Sequence, residues 1–248
     1  MAGGSAYALH SVDLEISRQS VQVSGLDRKL RVVALSDLHA PCYYLSTADL
    51  VRTINKQKPD VLILAGDMFG VPEFEQTVAA FKAARATCAK LAVPGNWEYH
   101  LGFDPADLKK AYAGAGIAYL KNDACVINGL KIVGLDDLLR GAPRFQMADQ
   151  ACNGSAPVLV INHCPGAFDR IAADGRSRKI MISGHTHGGQ IAPFGKALIT
   201  PPGSGRYVQS WYRRGSNLMY VTRGVGASVL PVRIGARPEL LVLDLLPI

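Results

Sequence analysis

Three short apolar runs, each ending in polar residues, do most to limit what this chain can fold into. They are LRVVALSD (30–37), DVLILAGD (60–67) and CAKLAVPGN (88–96). A short, nearly unbroken apolar run reads as a strand covered on both faces. The segments between the runs have helical spacing. TADLVRTINKQK (47–58) places Leu50, Val51 and Ile54 on one face, and EFEQTVAAFKAARA (73–86) reads as a second helix. Strands joined by helical crossovers argue for a parallel or mixed sheet.

The second half holds fewer helices. IAYL, ACVI, LKIVGL, PVLVINH and KIMISGH read as strands, and LMYVTRG, LPVRIG and ELLVLDLL follow, separated by Gly/Pro turns. That is more strand than one sheet covered on both faces needs. The expected fold is therefore α/β: two stacked mixed sheets, a β-sandwich, with helices outside. No repeat or low-complexity linker divides the chain. Residues 1–5 (MAGGS) read as a cloning remnant and residues 6–248 as one domain.

Composition narrows the class. A chain 48% hydrophobic and 19% charged is globular rather than disordered. The formal charge of +7 suits anionic substrates or an anionic membrane, and equally a basic solvated surface. The five cysteines are odd in number and form no CxxC. Cys88, Cys125 and Cys164 sit in apolar surroundings, so they read as reduced thiols filling the core. No apolar run approaches a membrane span, and MAGGSAYALH lacks the features of a signal peptide. The expected location is cytoplasmic or peripheral to an inner membrane, with an anchor or export signal upstream as the alternative.

Strand after strand ends in residues hard to explain as core: Asp37 and His39, Asp67, Asn96, His163, then His185 and His187. In sheets of this kind ligands bind beyond the carboxyl ends of the strands. The islands SDLH (36–39), GD (66–67), GNWE (95–98), NHCP (162–165) and GHTHGGQ (184–190) would therefore meet at one rim. They offer imidazole, carboxylate and carboxamide but no thiolate, which suits Mn, Fe or Zn better than Ca or Mg. Seven ligands are too many for one ordinary ion and suit two divalent ions sharing a carboxylate, with Mn²⁺ the first choice. Alone, each island has a plainer explanation: SDLH can cap a turn, GD and GN are turn chemistry, and a single His163 is an ordinary core histidine.

Together and in this order, these islands resemble the calcineurin-like metallophosphoesterases. The signature of that family is D-x-H, G-D, G-N-H-[D/E], a lone H and G-H-x-H. The C-terminal stretch, with GHTHGGQ and RGVGASVLPVR, is similar to the bacterial membrane-associated YkuE-like branch. The resemblance implies a four-layer αββα sandwich. It implies that Asp37, His39 and His187 hold one ion, that Asn96, His163 and His185 hold the other, and that Asp67 bridges them. It further implies that a bridging water, made acidic by two cations, attacks phosphorus.

One position departs from the signature. Trp97 stands where the family has a histidine thought to protonate the leaving oxygen, and indole does not titrate. Three readings follow. The site is a binding scaffold; or His100, three residues on, stands in; or the substrate needs no acid. The last is preferred, because a phosphate leaving group departs unprotonated and Trp97 would offer a flat face to a base, sugar or acyl chain. The catalytic set is then Asp67, Asn96, Trp97 and His100. The expected substrates are phosphodiesters or pyrophosphates, as in nucleotide-linked lipids or small molecules, with a UDP-linked acylated sugar as the specific alternative. A membrane surface is a further expected partner, and nucleic acid ranks lower, for want of a basic stripe with interleaved aromatics. RSRK (176–179) is a solvated turn on the plain reading and a phosphate or membrane-headgroup contact on the other; WYRRG (211–215) is a strand-end turn with Trp211 packed on the sheet, or else an interfacial patch beside the site. APCYYLS (40–46) is expected to wall the pocket.

Overall fold

The computed structural model describes residues 13–41, 45–71, 74–87, 89–152, 156–173 and 178–248. Its strands are β1 (Glu15–Val23), β2 (Leu30–Leu35), β3 (Val61–Leu64), β4 (Ala89–Ala92), β5 (Ala118–Tyr119), β6 (Asp123–Ile127), β7 (Leu130–Gly134), β8 (Val158–Ile161), β9 (Lys179–Ser183), β10 (Ser210–Arg214), β11 (Asn217–Val221) and β12 (Glu239–Pro247). Its α-helices are α1 (Thr47–Lys56), α2 (Glu75–Phe81), α3 (Asn96–His100), α4 (Pro105–Gly114), α5 (Gln146–Ala151) and α6 (Phe168–Ile171).

The strands form two six-stranded sheets, in the orders β1-β12-β2-β3-β4-β5 and β10-β11-β9-β8-β7-β6. β2 through β5 run parallel, as do β7, β8, β9 and β11, so the carboxyl ends of the central strands share one edge in each sheet. Antiparallel pairs β12–β2, β10–β11 and β6–β7 make both sheets mixed.

Alternation within each strand explains the unbroken apolar runs. Val32, Ala34, Val61 and Ile63 pack between the sheets against Ile132, Ile161 and Ile182. Their neighbours Val33, Leu35, Leu62 and Leu64 face the other way, onto Leu50, Ile54, Phe81, Leu108 and Tyr112. On the far side, Val133, Val160 and Met181 pack against Phe168 and Ile171. The order of layers is therefore helix, sheet, sheet, helix, the expected sandwich. Helix α1 buries the expected Leu50, Val51 and Ile54, and starts where the Ser46 hydroxyl accepts from the Asp49 amide.

Several boundaries differ from the sequence reading. The third strand ends at Ala92, and Asn96 opens helix α3 instead of closing a strand. LPVRIG forms no strand; only Ile234 bridges, to Ile191. Its arginine is wholly buried and spends its donors on loop carbonyls, which a ladder position would not allow. WYRRG is mostly the edge strand β10, with the Trp211 indole donating to Gln19. Lys179 of RSRK is not a solvated turn residue. It is buried, 2.7 Å from Asp149 and donating to the Ile171 carbonyl. Arg176 and Ser177 lie outside the described residues, as do Cys42, Tyr43, Tyr44 and Cys88.

Candidate metal centre

Asp37 and His39 follow β2, Asp67 follows β3, His163 follows β8, and His185 and His187 follow β9. All six side chains are buried. They form two groups, Asp37–His39–His187 and Asp67–His163–His185, in each of which the ligand atoms lie within 4.8 Å of one another. Five of the six have positive φ: Asp37 (52°), His39 (45°), Asp67 (53°), His185 (74°) and His187 (52°). Such backbone costs about 1–3 kcal/mol per residue and collects where function requires it.

Asp67 joins the groups. Its Oδ2 lies 3.1 Å from His163 Nε2 and 3.9 Å from His39 Nε2. The imidazole tautomers explain what the site is built for. His163 Nδ1 is 2.9 Å from the Ala65 carbonyl and His185 Nε2 is 2.7 Å from the Pro202 carbonyl. A carbonyl only accepts, so in the neutral rings those nitrogens carry the protons. The remaining nitrogens, His163 Nε2 and His185 Nδ1, then turn lone pairs toward each other across 3.3 Å. Only a cation, a proton or a metal ion, makes that arrangement favourable. His39 Nε2 and His187 Nε2 face each other at 3.3 Å as well. Asn96 completes the picture: its Oδ1 is buried with no hydrogen-bond donor. An acceptor left so costs about 1–3 kcal/mol, and a bound cation removes that cost. The residues present therefore fit two divalent ions.

Electrostatics support the same reading. Burial raises the Asp37 and Asp67 carboxyls, but neighbouring imidazoles overcome it and hold both below the usual range. Burial lowers His39 and His185, and takes His187 to about 3, so these rings are neutral at pH 7. His163 is the exception: burial lowers it, but the charges of Asp67 and Asp37 prevail and raise it well above its ordinary value. Metal-free protein thus holds a proton on His163 at neutral pH. Loading at pH 7 is expected to release about one proton per chain, with ion affinity falling as pH falls. Calorimetry in buffers of different ionisation enthalpy measures that proton; no buffer dependence would contradict the assignment.

Glu98, which the sequence reading passed over, anchors two of the loops. Its carboxylate accepts from the backbone N–H of Asp67 (3.1 Å), Met68 (2.8 Å) and Gly95 (2.8 Å). Burial and the Asp67 charge raise it to about 7. The signal was present: a glutamate three residues after the helix-capping Gly95 is capping-box spacing. Gly95 itself is needed for space. A Cβ there would lie 2.2 Å from Asp67 Oδ1 and 2.5 Å from its nitrogen. Gly95→Ala is expected to weaken ion binding about 10–100-fold by displacing Asp67, a loss that an Mn²⁺ titration reads directly.

Two further residues tie the rim together. Gln190 donates to the Ser228 and Leu230 carbonyls and accepts from the Ser228 amide, joining the GHTHGGQ loop to the 228–230 loop. Arg233 donates to the carbonyls of Gly226, Arg223 and His187. Arg233 also sets a guanidinium nitrogen 3.1 Å from His187 Nδ1. Nothing in the spacing of Gln190 and Arg233 announced either role, because Gln190 and the His187 contacts of Arg233 join loops more than 30 residues apart.

The centre opens into a cavity of about 470 Å³, lined by Asp67, Asn96, Trp97, His185 and His187 on one side and by Ile191, Leu198, Ile199, Val229 and Leu230 on the other. Trp97 also borders a smaller cavity of about 210 Å³, with His39 and Pro41. Its backbone N–H donates to Asp67 Oδ1, and its ring meets His39 edge-on at 5.0 Å. His100 is exposed on α3, 5.2 Å ring to ring from Trp97, and lines neither cavity. Cys164 is buried, its thiol directed at Asp137.

Comparison with known proteins agrees with this geometry. The family model described as calcineurin-like phosphoesterase matches residues 30–189. The uncharacterised metallophosphoesterase YkuE of Bacillus subtilis is 30% identical across 98% of this chain and 90% of its own length. The phosphodiesterase YaeI of Escherichia coli is 31% identical across 87% of this chain and 82% of its own. An uncharacterised metallophosphoesterase of Helicobacter pylori (strain J99) is 26% identical across 94% of this chain, which spans only 64% of that longer relative. With a family match over more than half its length and a full-length relative at this identity, the chain belongs to the calcineurin-like phosphoesterases.

Proposed function

We propose that this protein hydrolyses phosphodiester or pyrophosphate bonds with two divalent ions, Mn²⁺ first and Fe or Zn as alternatives. The observation that carries the reading is the pair of facing ligand groups joined at Asp67, at the floor of an open cavity. In this reading Asp37, His39 and His187 hold one ion and Asn96, His163 and His185 the other, with Asp67 shared. Bound ions would supply a water nucleophile active near neutral pH and positive charge for the phosphoryl oxygens. The Ala65 and Pro202 carbonyls hold the His163 and His185 rings in the tautomer that turns Nε2 and Nδ1 toward the centre. A relative named a phosphodiesterase supports the reaction class.

Trp97 sets the choice of substrate in this reading. It gives the cavity an aromatic wall and no titrating group, and His100 stands outside the cavity. A leaving group that departs without a proton suits such a site. The apolar wall of Ile191, Leu198 and Ile199 favours a substrate with an acyl or other apolar part. A UDP-linked acylated sugar is the specific form of that second reading.

Metal-stripped protein, with and without Mn²⁺, tests the proposal on a chromogenic phosphodiester and the matching monoester. Diester cleavage is expected to return with Mn²⁺ while the monoester stays poor. Two ions bound with neither ester cleaved, nor a pyrophosphate-linked lipid, would leave a metal-bearing interaction module. Trp97→His is expected to raise monoester turnover about 10-fold or more, the low end of a general acid's contribution. Gain of monoesterase activity with no loss on the diester would count against a dedicated substrate role for Trp97.

A further inference from the structure

Two loops far apart in sequence meet at the mouth of the cavity, and both display apolar side chains to solvent. Phe194 is 91% exposed, Leu198 66% and Ile199 80% on one loop; Val229 is 88% and Leu230 54% exposed on the other. Four of the five also line the cavity, so the patch runs without a break from the outer surface into the centre. Contiguous exposed apolar surface of this kind marks an interaction site. The backbone sharpens the point. Phe194 (φ 57°) and Val229 (φ 63°) are both in the left-handed region, which bulky and β-branched residues avoid. Neither strain is offset by burying the side chain.

Charge favours one occupant. The 193–199 and 228–231 loops contain one lysine and no Asp or Glu, whereas Arg206, Arg214, Arg223 and Arg237 elsewhere in this half of the chain are paired with carboxylates and Lys179 and Arg233 are buried. Lys196 stands exposed between Phe194 and Leu198 in the same loop. Apolar tips around an exposed lysine, with no acid in either loop, suit the headgroup–acyl boundary of an anionic bilayer.

We infer that this rim is a membrane-docking surface: the 193–199 and 228–231 loops enter the boundary of an anionic bilayer and set the cavity mouth on it. The consequence for catalysis rests on the hydrolase reading above: a phosphodiester or pyrophosphate lipid passes from the bilayer along Leu198, Ile199 and Leu230 to the centre without entering water.

Vesicle co-sedimentation tests it. The full chain is mixed with phosphatidylcholine–phosphatidylglycerol vesicles and, separately, with phosphatidylcholine alone. Tighter binding to the anionic vesicles is expected. Phe194→Asn, which suits positive φ, is expected to lower partitioning about tenfold. Lys196→Glu is expected to weaken binding most at low salt. Neither residue lines the cavity, so both variants should keep wild-type turnover on a soluble diester. Wild-type protein that cleaves the soluble diester yet ignores both vesicle types overturns docking and leaves the hydrolase reading standing. Variants that bind as tightly as wild type overturn this rim as the docking surface. A dimer seen by light scattering and dissolved by Phe194→Asn assigns the patch to a second copy instead. Failure of the hydrolase reading shows separately, as no turnover by wild-type protein.

Discussion

Asp67→Ala is expected to lower phosphodiester turnover by about 10³-fold or more and to reduce the ions held per chain. Asp67 lies between the groups, with Oδ2 3.1 Å from His163 and 3.9 Å from His39 and Oδ1 taking the Trp97 amide, while Asp37 reaches across to His163 at 3.8 Å. In the proposed centre loss of Asp67 removes a shared ligand, and with it the carboxylate 3.1 Å from His163. It also removes the repulsion between Asp67 and Glu98 that raises the Glu98 carboxyl. The metal-free variant is therefore expected to unfold at much the same urea concentration as metal-free wild type, while turnover collapses. Turnover within tenfold of wild type would mean that the two groups do not act through Asp67.

Glu98→Ala is expected to act on stability. Three buried backbone N–H groups lose their acceptor at once, and water cannot easily replace a carboxylate wedged between the two loops. Relief of repulsion with Asp67 offsets part of the loss. A net destabilisation of about 2–4 kcal/mol remains, measured by urea unfolding of metal-free protein. Glu98→Gln keeps the shape but sets an amide N–H₂ against N–H donors, so it is expected to fall between. A change below about 0.5 kcal/mol, the range of ordinary surface substitutions, would show that the loops hold their shape without Glu98.

These two residues also show what sequence could and could not reveal. The six clustered side chains were legible because chemistry restricts their types: His and Asp after apolar strands have few other reasons to recur. The strands of the two sheet centres were legible because burial on both faces leaves unbroken apolar runs, as in VLIL and VLVI. Strand β1 was missed. EISRQSVQV alternates and is half polar, because it pairs at the sheet edge with β12 and buries only part of its length. β10 was missed for the same reason, its WYRR being mostly exposed or half-buried. LPVRIG has the alternation of a strand, yet Arg233 draws it off to bind three carbonyls, those of Arg223 and Gly226 after β11 and that of His187 after β9. Gln190 and Arg233 bind backbone atoms more than 30 residues away in part, and no local pattern encodes such partners.

The most direct test of two ions sharing one centre is electron paramagnetic resonance during an Mn²⁺ titration of metal-stripped protein. The expected result is two Mn²⁺ per chain and an exchange-coupled spectrum, with hyperfine spacing half that of isolated Mn²⁺, converted to a single-ion spectrum by Asp67→Ala. One ion per chain, or two ions with uncoupled signals in wild-type protein, would contradict the shared centre and with it the proposed chemistry.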